Sequence, residues 1–446
     1  MTELATALLV LAASAQVGPA PGEANALAAP ALKGLPPAKS MELADALAEL
    51  DRQNPTLEEA RARAAAALGV VRQAASPLLP TVGATGGYAR NSAQAVVTFP
   101  AIPGLPKGSL YIQPLEAWAV GGSLRVPLVV PEAWFALGAA REAALAAAAS
   151  ADATRLSLRA TFIETAWVAW AGEEIVAASE RALADAREQA ESARRQVQVG
   201  TATPLSVLQA ETAATRRESD LVAARSETSR ARIAVGVLLG RSEPVIVSMP
   251  PPRPPQVFDL PALTGQALQD RPELRAQAAL VRSYEKQVDS AFWRIAPEIS
   301  ASGSAFAQSV PYPTGQKDGW RVTVDLAWTL YDGGYRYGLA RQAEAQVDEA
   351  KAADVQARLS VVQEVQNAAR DVEVARQRLV LAQRERATAA EAAASARRGF
   401  QEGISSSLDV LAANTSLFEA DVQVADSGAR LGGALAALDR AIGRSP

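Results

Sequence analysis

The stretch "RQVQVGTATPLSVLQA", Arg195–Ala210, decides how this chain is read, because its shape returns as "RGFQEGISSSLDVLAA", Arg398–Ala413. The two glycines, Gly200 and Gly403, stand 403 − 200 = 203 positions apart. In both copies a glycine closes a long helix-forming run, where a left-handed residue ends a helix at least cost. Three positions later Thr203 and Ser406 suit N-caps, Pro204 suits a first helical position, and Ser406 with Asp409 makes a capping box. Leu205, Val207 and Leu208, or Leu408, Val410 and Leu411, then begin a returning helix. Each stretch therefore predicts a short hydroxyl-rich turn at the tip of a helical hairpin. Geometry alone fits a structural cap and a docking surface equally well.

The arms of these hairpins are expected over about 132–199 and about 335–402, where only isolated glycines interrupt the helix formers. Each would reach roughly 100 Å at 1.5 Å per residue. Apolar content is 49%, yet Phe, Tyr and Trp number only 8, 7 and 7, so cores must be built from Ala, Val and Leu. Small side chains let long helices approach closely at little cost in rotamer entropy. Leu431, Leu435, Leu438 and Ile442, spaced 4-3-4, form one such seam.

The formal net charge of −4 is small for 446 residues and gives no electrostatic case for binding nucleic acid. There is no His and no Cys, which removes imidazole and thiol catalysis, disulfides and most zinc or copper sites. No cofactor, metal or catalytic site is expected. The opening "MTELATALLVLAASAQ" reads as a secretory signal peptide over 1–15, with an A-x-A-like end at Ala13-Ser14-Ala15 and Glu3 where a base is usual. Residues 16–40 are rich in breakers and read as extended or disordered. No later run is long and uncharged enough for a transmembrane helix, so any crossing of a membrane falls to strands.

The chain is written twice. Arg155-Leu156-Ser157 returns as Arg358-Leu359-Ser360 and Gly240 as Gly443, both offset by 203; Trp118 and Leu124 return as Trp320 and Leu326, offset by 202. Asn54-Pro55 and Pro80 align with Arg271-Pro272 and Pro297 at an offset of 217, so one internal loop is about 15 residues longer in the first copy. The organisation predicted is a first repeat at 41–248, a proline-rich linker "MPPPRPPQ" at 249–256, and a second repeat at 257–446. Each repeat holds helix, β-hairpin (about 81–129 and about 298–331), long helix, tip and return helix.

The strands have two faces. In "WRVTVDLAWTLYDGG", Trp320, Val322, Val324, Leu326, Trp328 and Leu330 alternate with Arg321, Thr323, Asp325, Ala327 and Thr329. In the first copy Trp118, Val120, Gly122, Leu124, Val126 and Leu128 oppose Ala119, Gly121, Ser123, Arg125 and Pro127. Strands of about 10 residues, tilted about 45°, span a hydrocarbon layer. Trp118, Leu124, Val126, Trp320, Val324, Leu326 and Trp328 are then candidates to face lipid, and Arg125, Arg321 and Asp325 to face water. Four strands are too few to close a barrel, so they must pair with other copies.

With these features in order and at this spacing, the chain resembles the TolC-type outer membrane efflux proteins from about Met41 to Gly443. The exits "VPLVV" and "WTLYDGG", the linker, and the tips "QVGTATPLSVLQA" and "QEGISSSLDVLAA" carry the resemblance. It implies a homotrimer in which four strands per chain close a twelve-stranded barrel in the lipids of the outer membrane, continued by a helical tunnel through the periplasm. It implies that the tips, at Val199, Gly200, Thr201, Thr203 and Leu205 and at Gly403, Ile404, Ser406 and Leu408, meet a periplasmic adaptor coupled to an inner-membrane transporter. The implied function is passive conduction in a tripartite efflux or type I secretion system. A structural coiled-coil or adaptor protein of the periplasm is the alternative, and it has no need of two-faced strands.

This chain departs from the family's pattern twice. The second tip has Glu402 where the first has Val199, and the acidic residues usual on the pore side before the second tip are replaced by Ala394, Arg397 and Arg398. Arg194-Arg195 and Arg397-Arg398 are therefore candidates for a periplasmic gate: either they favour the helix C-terminal dipole and pair with neighbours such as Glu191 or Glu402, or one of each pair crowds a threefold tunnel.

Overall fold

A computed structural model describes residues 38–99, 108–200, 203–250, 258–312 and 315–445. The signal peptide and most of the extended segment, Thr201, and most of the proline-rich linker lie outside the described residues.

Strand β1 (Lys39–Glu42) leads into α1 (Leu43–Gln53) and α2 (Pro55–Ala75), followed by β2 (Thr81–Arg90), β3 (Ala95–Phe99), β4 (Gly108–Gln113) and β5 (Glu116–Val129). Helix α3 (Pro131–Gln198) and its return α4 (Pro204–Leu238) come next, then β6 (Val245–Ser248). The second run comprises α5 (Leu260–Asp270), α6 (Pro272–Trp293), β7 (Glu298–Gln308), β8 (Asp318–Ala327), α7 (Tyr335–Gln401) and α8 (Ser407–Ala441). Helices α3 and α7 have 68 and 67 residues, roughly 100 Å each, and both return helices have 35. Between β2 and β5 the chain forms a short separate hairpin, β3 with β4.

Toward the tips the helices lie side by side in the order α4, α3, α8, α7; toward the sheet α6 replaces α8 between α3 and α7. Alanine makes this possible. Ala160, Ala166, Ala169, Ala178, Ala186, Ala190 and Ala193 of α3 are all buried, and so are Ala369, Ala375, Ala382 and Ala393 of α7. Two apolar clusters sit midway along the helices. One gathers Phe162, Trp167, Leu50, Val235 and Leu239, and the other packs Val361, Val365 and Val372 of α7 on Leu431, Leu438 and Ile442, the expected seam. The parallel pair β1–β6 closes the first cluster through Val245.

Ion pairs tie the ends of the chain to this middle zone. Asp51 of α1 accepts from Arg155 (2.9 and 2.5 Å) and from Arg159, which also reaches Ser445. Asn54 caps α2 by accepting from Leu57 N (3.1 Å) and donates to Leu238 O (2.7 Å). Its counterpart at the start of α6, Arg271, is also buried but bonds Glu364 of α7 instead (2.6 Å). The same corner is thus held by different chemistry in the two halves.

Candidate functional site

Two regions combine exposure with order: the four-stranded sheet at one end of the long helices and the hairpin tips at the other. Among the described residues no helix is long and apolar enough to cross a membrane. The sheet runs β2-β5-β7-β8, every pair antiparallel. Register fixes its faces. Val82, Leu124, Gly303 and Val322 form one row; Val126, Ala301 and Val324 form another; Ala84, Gly122, Ala305 and Trp320 a third; and Tyr88 stands beside Trp118. On this face Trp320, Val324 and Leu326 are 79%, 69% and 65% exposed, an apolar surface that no described residue covers. The opposite face carries Thr81, Ser123, Arg125, Ser300, Ser302, Ser304, Arg321, Thr323 and Asp325.

The alternation fails at the lower ends of the strands. A bulge between Pro127 and Val129 sets Val129, not Leu128, opposite Ile299, because one extra residue in β5 shifts the pleat. Strand β8 ends at Ala327, so Trp328 and Leu330 do not continue its apolar face. The Trp328 indole instead donates to Ile295 O at 3.0 Å. The exit turn is clamped: Asp332 accepts from the backbone of Gly334 and Arg336 (both 3.1 Å), while the Arg336 guanidinium holds Leu330 O (2.7 Å) and Thr329 O (3.3 Å).

At the tips Gly200 and Gly403 have φ of +77° and +79°, the left-handed region expected of both. The second tip is a complete Schellman turn, with Ile404 N bonded to Gly399 O (2.7 Å) and Gly403 N to Phe400 O (3.2 Å). Ser406 and Asp409 form the capping box, and hydrogen bonds from the Ser406 hydroxyl and backbone N–H hold the Asp409 carboxyl below its ordinary pKa. Thr203 is different. It occupies the N-cap with extended backbone, but its side chain makes no cap bond; its carbonyl accepts from Ser206 N (3.0 Å) and Oγ (2.6 Å). Position 206 is a Ser, so the first tip has no acid to complete a box. Val199, Leu205, Ile404 and Leu408 are all strongly exposed, which gives both tips an apolar surface.

The arginine pairs are divided by the packing. Arg194 bonds Glu211 of α4 (3.0 and 2.7 Å) and Glu191 (2.7 Å), and the Glu211 hydrogen bond, then the charges of Glu191 and Glu211, raise its pKa. Arg397 reaches Asp185 of α3 at 3.3 Å, so it joins the second hairpin to the first. Arg195 and Arg398 are exposed, with no ion pair among the described residues. Two further cross-hairpin links are not apparent in the sequence. Asp421 of α8 takes Arg386 of α7 (2.5 Å) and Arg181 of α3 (3.7 Å); Arg217 of α4 bonds Thr415 (2.8 Å) and lies over Phe418, 4.6 Å from its ring centre. They surround a groove of about 260 Å³ some way behind the tips.

This arrangement is one seen in known proteins. The chain superposes on VceC of Vibrio cholerae with a TM-score of 0.73 at 20% identity, over 90% of this chain and 96% of that one. For the CmeC outer membrane channel of Campylobacter jejuni the values are 0.75 and 17%, over 90% and 85%. For the MtrE outer membrane channel of Neisseria gonorrhoeae they are 0.71 and 20%, over 91% and 89%. In sequence the chain is 31% identical over 212 residues to protein CyaE of Bordetella pertussis, a match covering 46% of this chain and 44% of that protein, less than half of its length. The model of the family described as "Outer membrane efflux protein" matches residues 46–241 and 263–444, and with that match in both halves the chain belongs to the outer membrane efflux protein family.

Proposed function

We propose that the protein is the outer membrane duct of a tripartite efflux or type I secretion system, conducting substrates passively while a partner supplies the energy. The observation that carries this reading is the open sheet, whose edges β2 and β8 have no partner strand and whose apolar face has no cover among the described residues. Strand β2 leaves the helices and β8 returns to them, so β8 of one copy beside β2 of the next is antiparallel, as a closed barrel needs. Three copies supply twelve strands, with Trp118, Leu124, Val126, Trp320, Val324 and Leu326 toward lipid. The halves 41–248 and 257–446 are, on this reading, copies of one unit, and their helices form the wall of the tunnel.

The exposed apolar tips are the surface for a periplasmic adaptor coupled to an inner-membrane transporter. Arg194, Arg195, Arg397 and Arg398 lie at the tip end and form the gate region, where the Arg397–Asp185 link is the contact to be released. The test is migration of the unboiled protein from an outer membrane fraction. A compact trimer that collapses to monomer on boiling is expected; a monomer in the soluble periplasmic fraction leaves the coiled-coil alternative standing.

A further inference from the structure

The polar face of the sheet carries four charged side chains, and register sorts them by height. Glu298 stands opposite Ala327, at the end where β7 leaves α6 and β8 approaches α7. Asp325 is in the next polar row, opposite Ser300. One row further out comes Arg125, beside Ser302 and Thr323, and beyond that Arg321, beside Ser304 and Ser123. Polar rows are two residues, or roughly 6.7 Å, apart. The acids are therefore at the helix end and the arginines farther out.

Opposite charges on one face would ordinarily neutralise each other across strands. Here they do not. The partners of Asp325 are the hydroxyls of Ser302 (3.2 Å) and Thr323 (3.0 Å). Asp325 and Arg125 lie on strands separated by β7 and in different rows, a distance on the order of 10 Å, too far for a contact. Among the described residues none of the four charged side chains has an ion-pair partner.

We propose that the barrel lumen is a two-layer charge filter, an acidic ring of Glu298 and Asp325 on the tunnel side under a basic ring of Arg125 and Arg321 on the outer side. This rests on the trimeric barrel proposed above, in which each ring holds six charges and the rings cancel in sum. Twelve strands about 4.8 Å apart and tilted about 40° give a backbone diameter of roughly 24 Å, which the inward side chains narrow further. The Debye length is about 30 Å at 0.01 M salt and about 3 Å at 1 M. At low salt each ring's potential thus fills the bore, and at high salt it does not. Small cations gather at the acidic ring and small anions at the basic one. Current is larger when the tunnel side is positive, because that voltage drives both ions toward the boundary between the rings.

Single trimers in planar bilayers under a KCl gradient test this. Arg125→Gln with Arg321→Gln should raise the K⁺/Cl⁻ permeability ratio about threefold or more at low salt, and Glu298→Gln with Asp325→Asn should lower it by a similar factor. Both pairs should reduce the asymmetry of current with voltage, and all differences should vanish at 1 M KCl. If a double variant does not assemble, Arg321→Gln and Asp325→Asn alone carry the same test with smaller shifts. Heat-modifiable trimers whose permeability ratios do not change, or change in the same direction for both pairs, overturn the filter and leave the barrel intact. A wild-type chain that forms no heat-modifiable trimer removes the barrel itself.

Discussion

Gly432 of α8 lies against the indole of Trp167 of α3 so closely that a Cβ there would stand 2.1 Å from Cε2 of the ring. The contact is in the apolar cluster where the two hairpins meet, and the neighbouring Gly428 has the same relation to Trp170 at 3.3 Å. Gly432→Ala forces the indole or the helix to move and should destabilise the fold by about 1–3 kcal/mol. At Gly433 a Cβ meets only the Glu164 side chain, at 3.5 Å, so Gly433→Ala should be neutral or gain up to about 1 kcal/mol from helix propensity. Thermal melts in detergent followed by tryptophan fluorescence should separate the two; equal melting temperatures would remove the close-packing account.

The Asp51 cluster gives the fold an acid limit. Burial raises the Asp51 pKa, but hydrogen bonds from Arg155 and Arg159 and their charges outweigh it and bring the value to about 2 from 3.8. A folded pKa below the unfolded one means the stabilisation is complete above about pH 4 and is lost as pH falls through about 2. After solvent screening it should amount to about 1–2 kcal/mol. Denaturant midpoints between pH 6 and pH 2 should fall more steeply for the wild type than for Asp51→Asn. Parallel curves would show that the cluster does not set this limit.

The strand faces can be tested one residue apart. Val324→Arg places a cation toward lipid, at about 2–4 kcal/mol per chain near mid-bilayer, and three chains multiply it. Loss of heat-modifiable trimer is expected. Asp325→Asn, on the opposite face, should leave trimer yield unchanged. Equal tolerance of both would reverse the assignment of faces.

Gly200→Pro combined with Gly403→Pro attacks the tips alone, since proline holds φ near −65° and these glycines stand near +77° and +79°. Trimer in the outer membrane should persist while export is lost. Recovery of the adaptor with the double variant at wild-type levels would show that the tips are not its docking surface.

Arg397→Glu sets a second acid against Asp185, and Arg194→Glu does the same beside Glu191 and Glu211. The double variant should raise resting conductance and shift selectivity toward cations. An assembled channel with unchanged conductance and reversal potential would confine these arginines to helix support.

What could be read from the chain was whatever repeats locally. Gly200 and Gly403, the Ser406–Asp409 box, the two-residue alternation of β8 and the seam at Leu431, Leu435, Leu438 and Ile442 each follow from residues within one or two turns of each other. The partners that arginines find on other helices do not. Asp185 is 397 − 185 = 212 positions from Arg397, and nothing short of packing α3 beside α8 and α7 selects it over other acids. The layered charges were half legible: Arg125, Arg321 and Asp325 announce themselves by alternation, but Glu298 at the mouth of β7 needs the register to join them. The hydrogen bond of the Trp328 indole to Ile295 O was not legible either, since Trp328 continues the apolar alternation past the end of the ladder at Ala327.

The Ser406–Asp409 box and its absence at Thr203 make the two turns mechanically unlike. The second return helix begins with its N-cap and N3 amides reciprocally tied to side chains, whereas at the first the N3 amide, Ser206 N, reaches only the Thr203 carbonyl, a difference of about 1 kcal/mol in resistance to fraying. In the trimer proposed above, three firm and three yielding ends would alternate around the circumference. In that trimer, deformation under load on the ring would start at the three ends beginning with Pro204.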